Sequence, residues 1–573
     1  MQLIQRDVPP RTAWALEQAG VPPLLARLYA ARGVRGVDEL DTDLKHLLPP
    51  TQLRGMDAAC TLLADAIAKQ QRLCIVADYD CDGATACAVA VRGLRALGAL
   101  HVDYCVPDRA RDGYGLTPAI AQRVADGGAQ VLITVDNGIA SIEGVAHARA
   151  LGLRVVVTDH HLCAQVEGQT RLPEADAIVN PNQPGCHFAS KALAGVGVMF
   201  YVLLGLRAQL RARGAFVHQA QPRLDPLLPL VALGTVADVV PLDSNNRRLV
   251  AQGLQRIRAG AMPAGMAALF HVAGRTPQQA SAQDFGFALG PRLNAAGRLA
   301  DMGLGIQCLL SDDHAAALAL AQQLDAINRE RRHIEGDMRE QALAIAEEAL
   351  DFDAQPPAAL CVFDPDFHEG VVGIVASRLK ERWHRPTFVF AVSSQDEDEL
   401  KGSGRSIAGF HLRDALDLLA KRCPGVLRKF GGHAMAAGCT IGADDLDAFE
   451  QGLQAIAAEW LDADALTRSL HTDGALDASW CNVDTADVLQ QEVWGQGFAP
   501  PVFAQALDIS SQRVVGSGHL QLKFALHGDT VDGIWFGRVA PVPSGSVLAF
   551  ALDINAFRGQ RKLQFIVQGM AGE

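Results

Sequence analysis

No CxxC pair occurs among the twelve cysteines, and most of them sit inside apolar runs such as Cys74-Ile-Val-Ala-Asp and Ala86-Cys-Ala-Val-Ala. That pattern suits buried free thiols in a reducing cytosol better than a disulfide framework or a zinc site. Positive charge is scarce too: 51 Lys and Arg face 64 Asp and Glu, a net charge of −13. Holding nucleic acid by global basic charge is therefore excluded, and any such binding must use local patches. No uncharged stretch reaches the roughly 20 residues of a membrane helix. Ala192 to Leu206, bounded by Lys191 and Arg207, stops at fifteen and reads as a buried core helix. The opening MQLIQRDVPP is charged where a signal peptide needs an apolar core, so the expectation is a soluble, cytoplasmic protein with no membrane partner. Internal repeats and low-complexity tracts are absent, and 49% hydrophobic with 20% charged residues is ordinary globular material.

From about residue 55 to 240 a βα rhythm appears. Strand-like runs at 73–77, 102–106, 131–135 and 154–158 are separated by alanine-rich helical stretches, Ala84–Leu97 and Ala140–Leu151 among them. Strands apolar throughout and joined by helices predict a parallel sheet covered on both faces. Residues 312–350 contain no Pro and one Gly, Gly336, which predicts one helix of about 58 Å joining two domains. Its middle, Arg329 to His333, is too charged to be buried all round. Strands at 359–363 and 387–392 open a second α/β unit, and alternating segments after 466 predict a small antiparallel β domain. The expected architecture is α/β: an N-terminal helical segment (1–50), a parallel-sheet domain (51–310), a connecting helix (311–351), a second α/β domain (352–465) and a β-barrel tail (466–573).

Chemistry concentrates after the strands. Asp78, Asp80 and Asp82 follow LCIVA, and three carboxylates two apart share one side of an extended chain, where a cation relieves their repulsion. A calcium EF-hand loop is excluded, since Val89 stands where its bidentate Glu belongs. Asp136-Asn137-Gly138 ends the next strand and Asp159-His160-His161 another, and ligands of open parallel sheets bind beyond such carboxyl ends. Asp238 is an acid alone in a fourth apolar stretch, LVALGTVADVVPL, and reads with the others as a group at an equivalent strand end. Oxygen-rich ligands with one or two imidazoles suit manganese or magnesium better than structural zinc. Other motifs fail: there is no P-loop and no GxSxG, Phe200 replaces the third glycine after Gly195-Val-Gly197, and Val372 stands where His368-Glu369 would need a second His. Hydrolysis at a metal pair is the most economical chemistry left.

Those four motifs, with Gly234-Thr-Val-Ala-Asp238 as the last, resemble in order those of the DHH phosphoesterase superfamily, and in particular its bacterial single-strand-specific 5′-to-3′ DNA exonucleases. The likeness extends to Arg292-Leu-Asn294-Ala-Ala-Gly297-Arg298, to Gly402-Ser403-Gly404-Arg405-Ser406 with Gly431-Gly432-His433, and to a tail of the OB type. It implies two divalent ions held by Asp80, Asp82, Asp136, His160 and Asp238, with Asp136 bridging. Asp78 and His161 by this likeness ligate, orient a ligand or touch the scissile phosphate, while Asp159 supports the histidines. It further implies single-stranded DNA as substrate, roles in recombination repair and mismatch excision, and a helicase and single-strand-binding protein as collaborators.

An exonuclease must sense a chain end. Arg109, Arg111 and Tyr114 lie just beyond VDYCV, and they, with Asn294, Arg298, Ser403, Arg405, Gly432 and His433, are candidates to clamp the 5′-terminal phosphate and nucleotide. Arg558, Arg561 and Lys562 around Gly559 are the basic set of the tail, with Phe524, Trp535, Phe536 and Phe557 as stacking candidates. Rival readings are a phosphodiesterase for short or cyclic oligonucleotides, a pyrophosphatase, and a non-catalytic scaffold. The barrel-like tail argues against the first two and the intact ligand positions against the third.

Overall fold

The computed structural model describes residues 1–108, 112–166, 169–349, 357–516, 518–526, 528–557 and 559–572. Its first sheet has five parallel strands: β1 (Leu73–Ala77), β2 (Val102–Cys105), β3 (Val131–Val135), β4 (Arg154–Thr158) and β5 (Ala177–Val179), in the order β2-β1-β3-β4-β5. Every residue of β1 and β3 is buried, which is why they read as unbroken apolar runs. Alternate residues serve the two faces. Ile75, Ala77, Ile133 and Val135 join the core under α1 (Cys81–Ala96). Cys74, Val76 and Leu132 join that under α2 (Pro118–Asp126) and α3 (Ile142–Ala150). The stretch around Ala192 is indeed a buried helix, α4 (Gly195–Ala212), and packs beside α5 (Leu228–Ala237).

Two sequence expectations change here. Asp80 does not continue an extended run: it caps α1, its carboxylate accepting from the Gly83 N–H at 2.9 Å, so Asp82 lies in the first helical turn. Asp238 stands at the end of a helix, α5, and not of a strand, because a continuous apolar run buried all round shows no period to tell the two apart.

After α6 (Gly290–Leu299), helix α7 (His314–Ala349) runs for 36 residues, roughly 54 Å at 1.5 Å each. Ala317, Ala321 and Leu324 bury its first half in the main core, and Met338, Ala342 and Ala346 bury its second half in that of the next unit. Its charged middle divides: the Arg329 side chain is 70% exposed, whereas Arg331 is buried and pairs with Glu335 at 2.8 Å. The second sheet comprises β6 (Leu360–Phe363), β7 (Thr387–Val392), β8 (Glu399–Arg405), β9 (Leu427–Gly432) and β10 (Ala436–Gly442), ordered β9-β10-β8-β7-β6 with only β6 and β7 parallel. Helix α8 (Val372–Trp383) covers it on the side of α7.

The tail sheet is β11 (Phe503–Ala506), β12 (Asp508–Val515), β13 (His519–Leu526), β14 (Asp529–Trp535), β15 (Val547–Phe557) and β16 (Gln560–Met570), ordered β11-β15-β16-β14-β13-β12. It is not wholly antiparallel, since β14 and β16 pair in parallel. The N-terminal segment is not wholly helical either: strand Gln2–Gln5 pairs with Ser469–Thr472. Arg32 and Asp473, both 2% exposed at the side chain, form a 2.8 Å ion pair between that segment and the tail. Trp494 stacks on Phe498 at 5.4 Å, and Arg247 of the first domain lies 4.1 Å over the Phe498 ring. All twelve cysteines are free. Among the described residues no helix is long and apolar enough to cross a membrane.

Candidate metal centre

The chain ends of β1, β3 and β4 meet the C-terminus of α5 at one rim. Asp82, fully buried, accepts from the Gly195 and Val196 N–H groups at the start of α4, at 2.7 and 3.0 Å. Asp136 leaves β3 in the left-handed region, φ 61°, and is 1% exposed. This backbone costs a side-chain-bearing residue energy, and such strain persists where surrounding structure enforces it. Gly195 makes room for it, since a Cβ there would come within 2.5 Å of Asp136 Oδ1. His160 Nε2 lies 3.1 Å from Asp136 Oδ1 and 3.4 Å from Asp238 Oδ2. None of these three buried atoms has a hydrogen-bond partner.

Three sets of atoms each converge within 4.8 Å: Asp136, His160 and His161; Asp82, His160 and Asp238; Asp78, Asp80 and Asp136. Asp136 and His160 each belong to two of them. The electrostatics are those of a cage for cations. Burial, then the charge of Asp80, pushes Asp78 up to about 8 and Asp82 up to about 7. Burial and the neighbouring carboxylates likewise raise Asp136 and Asp238. Burial, reinforced by His161, drops His160 to about 4, which keeps its imidazole neutral and able to ligate. Orphaned oxygen and nitrogen atoms in a carboxylate-rich pocket fit hard divalent cations.

The flanking groups fix these side chains. Asp159 accepts from the Ile139, His160 and His161 N–H groups at 2.9, 2.7 and 3.1 Å and meets His161 Nδ1 at 2.8 Å. Burial works to lower His161, but Asp159 holds it up at about 9. Sequence reasoning missed Asn180 and Asn182, whose amides donate to the carbonyls of His161 and His160 at 3.0 and 2.6 Å. It also missed the Gly195 and Val196 amides. Nothing short of the fold identifies these partners, because they lie far along the chain from the groups they hold.

Beside the rim a cavity of about 1080 Å³ opens between the first and second sheets, with Tyr114, Arg298, Ser403 and Gly431 in its walls. Tyr114 Oη is 3.4 Å from the Asp136 carbonyl and 3.3 Å from His161 Nε2. Arg298 donates to the Gly370 carbonyl at 3.2 Å, bridging α6 to the second unit, and Arg405 donates to Ser403 Oγ at 3.1 Å. His433 is close enough to His161 for their charges to repel, and burial followed by that repulsion lowers its pKa. Gly432 has φ 135°, and a Cβ there would strike the Ala436–Ala437 backbone. Asn294 is placed otherwise: its Oδ1 accepts from the Cys81 N–H at 2.7 Å, bracing the turn between Asp80 and Asp82. In the tail, Arg561 pairs with Asp487 and Lys562 is exposed. Phe524 and Trp535 are core, while Phe536 is 58% exposed. Arg109, Arg111 and Arg558 lie outside the described residues.

A parallel sheet with this carboxylate–imidazole rim, faced by a second α/β unit, defines a protein of the DHH class. The model of the DHH family's N-terminal domain matches residues 72–235, that of the DHHA1 domain 356–459, and that of the RecJ OB domain 472–569. The chain is 48% identical over 559 residues to the single-stranded-DNA-specific exonuclease RecJ of Salmonella typhimurium, with 96% of each chain covered. It is 48% identical to the Escherichia coli protein of that name, at the same coverage. The crystal structure of RecJ in complex with Mn2+ from Thermus thermophilus superimposes with a TM-score of 0.80 at 30% identity, covering 99% of this chain and 79% of that one. Its Mg2+ counterpart gives 0.76 at 29%, covering 100% and 78%. The chain belongs to the RecJ family.

Proposed function

We propose that this protein is a metal-dependent exonuclease that degrades single-stranded DNA from 5′ to 3′, releasing mononucleotides. The observation that carries the reading is the mutual approach of three orphaned buried atoms, Asp136 Oδ1, His160 Nε2 and Asp238 Oδ2. The relatives' names and the Mn2+ and Mg2+ complexes of the Thermus protein support it. Asp80, Asp82, Asp136, His160 and Asp238 would hold two divalent ions, manganese or magnesium, which when bound neutralise the phosphodiester, activate a water and stabilise the departing 3′ oxygen. Asp136, common to two ligand sets, ties the two positions together.

The chain's own groups do the rest. Asp159 accepts from His161 Nδ1–H and keeps the ring protonated, so that Nε2–H donates to a phosphate oxygen. Arg298, Ser403, Arg405 and His433 clamp the 5′-terminal phosphate and its nucleotide, the first two from the walls of the cavity between the sheets, and Arg109 and Arg111 are assigned the same role from their place in the sequence. That cavity admits one strand, and the tail's Arg558, Arg561 and Lys562 add phosphate contacts. In the cell the substrate is a strand opened by a helicase and coated by single-strand-binding protein, during recombination repair and mismatch excision in the cytoplasm.

The test presents the purified chain with Mn2+ and, in parallel, a 3′-labelled single strand, a duplex, a dinucleotide and pyrophosphate. Progressive shortening of the 3′-labelled single strand alone, with the label kept on the shrinking strand, supports the reading. Labelled mononucleotide released from the outset reports attack from the 3′ end and overturns it. Preferential hydrolysis of the dinucleotide or of pyrophosphate, or no hydrolysis at all, overturns it.

A further inference from the structure

The cavity between the two sheets extends past Ser403 and Gly431. Strand β8 alternates, with Leu400 buried in the core of the second unit and Lys401, Ser403 and Arg405 on the opposite face. Partners across an antiparallel ladder share a face. Ser403 stands opposite Gly438 on β10, and Gly438 opposite Gly431 on β9, which makes one row across the sheet. Two of its three members have no side chain, and a Cβ at Gly431 would stand in open space. The next row is Lys401, Thr440 and Lys429, because both lysines pair with Thr440. All six residues line the same cavity.

These rows have an order relative to the metal centre. Arg405 pairs with Ala436, whose carbonyl accepts from the His433 N–H at 2.8 Å. His433 is the residue whose charge meets that of His161, so this end of β8 adjoins the metal centre. Ser403 lies one row away from it and Lys401 two, at about 6.8 Å per row. A terminal nucleotide with its scissile phosphate at the metal centre and its 5′ phosphate at Ser403 and Arg405 leaves the lysine row beyond the end of the chain. Two ammonium groups flanking a hydroxyl suit an anion rich in oxygen. Glu369 holds Lys401 Nζ at 3.1 Å and is itself held by Ser394 Oγ at 2.7 Å. Lys429 is exposed and meets no carboxylate among the described residues. One row further, Glu399 pairs with Arg428 at 2.9 Å, so the free positive charge stops there. Space, donors and charge are present for more than a monophosphate end requires.

We propose that Lys401, Thr440 and Lys429 form a subsite for the outer phosphoryl groups of a 5′-di- or triphosphorylated strand, so that such ends are substrates beside 5′ monophosphates. The inference rests on the nuclease reading. The hydrolytic step is the same for both ends. Water adds to the phosphorus of the first phosphodiester, the bond from that phosphorus to the 3′ oxygen of the terminal nucleotide breaks, and a proton from the water passes to that oxygen. The terminal nucleotide leaves as a nucleoside 5′-triphosphate with a free 3′ hydroxyl, and the water's oxygen stays on the 5′ monophosphate of the shortened strand. The subsite therefore acts in the first round only.

The test follows the first cleavage of two 3′-labelled single strands of about 30 nucleotides, identical except for a 5′ monophosphate or a 5′ triphosphate. The full chain with Mn2+ is compared with Lys401→Gln and Lys429→Gln. Wild type shortens both strands by one nucleotide and releases a nucleoside 5′-triphosphate from the second, with a KM no higher than for the first. Each variant raises KM for the triphosphate strand about tenfold, the loss of one charge-assisted contact, and leaves the monophosphate strand within about twofold. Lys429 is exposed, so its replacement leaves the fold undisturbed. A triphosphate strand left intact by wild type, an equal rise on both strands, or no rise in either variant overturns the subsite while the nuclease reading stands. A dinucleotide as first product of the monophosphate strand overturns it too, by giving the lysine row to an upstream nucleotide. A wild-type chain inactive on the monophosphate strand overturns the nuclease reading, and the subsite with it.

Discussion

Replacing Asp136 separates the metal centre's chemistry from its folding. Two variants are needed, because the residue sits at φ 61° and is 1% exposed. Asn tolerates the left-handed backbone and keeps the shape, whereas Ala adds about 1–2 kcal/mol of backbone strain. In the metal-free protein Asp136 is a burden: burial and the charges of Asp82, Asp80 and Asp238 all disfavour its ionised form. Asp136→Asn removes one carboxylate from that cluster and is expected to unfold at or above the wild-type temperature in EDTA. Since Asp136 belongs to two of the three ligand sets, its loss should weaken both ion positions together. Turnover is expected to fall at least about a thousandfold, some 4 kcal/mol of transition-state stabilisation. Wild type in Mn2+ at a hundred times its Kd gains about 2.7 kcal/mol, a rise of roughly 5–10 °C for a domain of this size, and both variants should lose that gain. Differential scanning fluorimetry with and without Mn2+, beside the strand-hydrolysis assay, reads both effects. Wild-type turnover by Asp136→Asn, or an undiminished Mn2+ shift, would refute the argument.

Three further outcomes are expected. Asp78 and Asp82 are raised to about 8 and about 7 in the folded, metal-free protein, so their contribution to stability is complete below about pH 4 and is lost as pH rises through those values. Metal displaces the protons, so the Mn2+-induced rise in Tm should grow between about pH 4 and 8, and a flat difference curve would contradict this. Asp473→Ala leaves Arg32 buried without its carboxylate, a loss of about 3–5 kcal/mol, visible as a lowered melting temperature and early proteolysis between the tail and the rest. Gly195→Ala forces a methyl toward Asp136 Oδ1, and should abolish strand hydrolysis while circular dichroism stays that of wild type.

Much of the site was legible because buried parallel strands are apolar from end to end. The first polar group after LCIVA, VLITV or RVVVT therefore marks the rim, and Asp78, Asp136 and Asp159 stand there. LVALGTVA read as one more strand leading to the rim and proved to be the helix α5, because a segment buried all round shows no face by which the two could be told apart. Spacing misled at Asp82, where the cap made by Asp80 turned an extended triplet into a helix start. The amides of Gly195 and Val196 and the carboxamides of Asn180 and Asn182 had no signature, since each acts on a segment distant in sequence or through its backbone alone. Asn294 was placed in the right neighbourhood, but its bond to the Cys81 amide came from the fold alone. The Arg561–Asp487 pair likewise reflects a tertiary neighbour invisible along the chain.

The 36-residue helix α7 is gripped by a different core at each end. A helix advances 1.5 Å and turns about 100° with every residue, so an insertion or deletion anywhere along it would swing one half of the enzyme around the other. Drift in composition along its solvent face is harmless to that alignment, but a change in its length is not. Over evolutionary time α7 should behave as a ruler, free in its letters and constrained in its count.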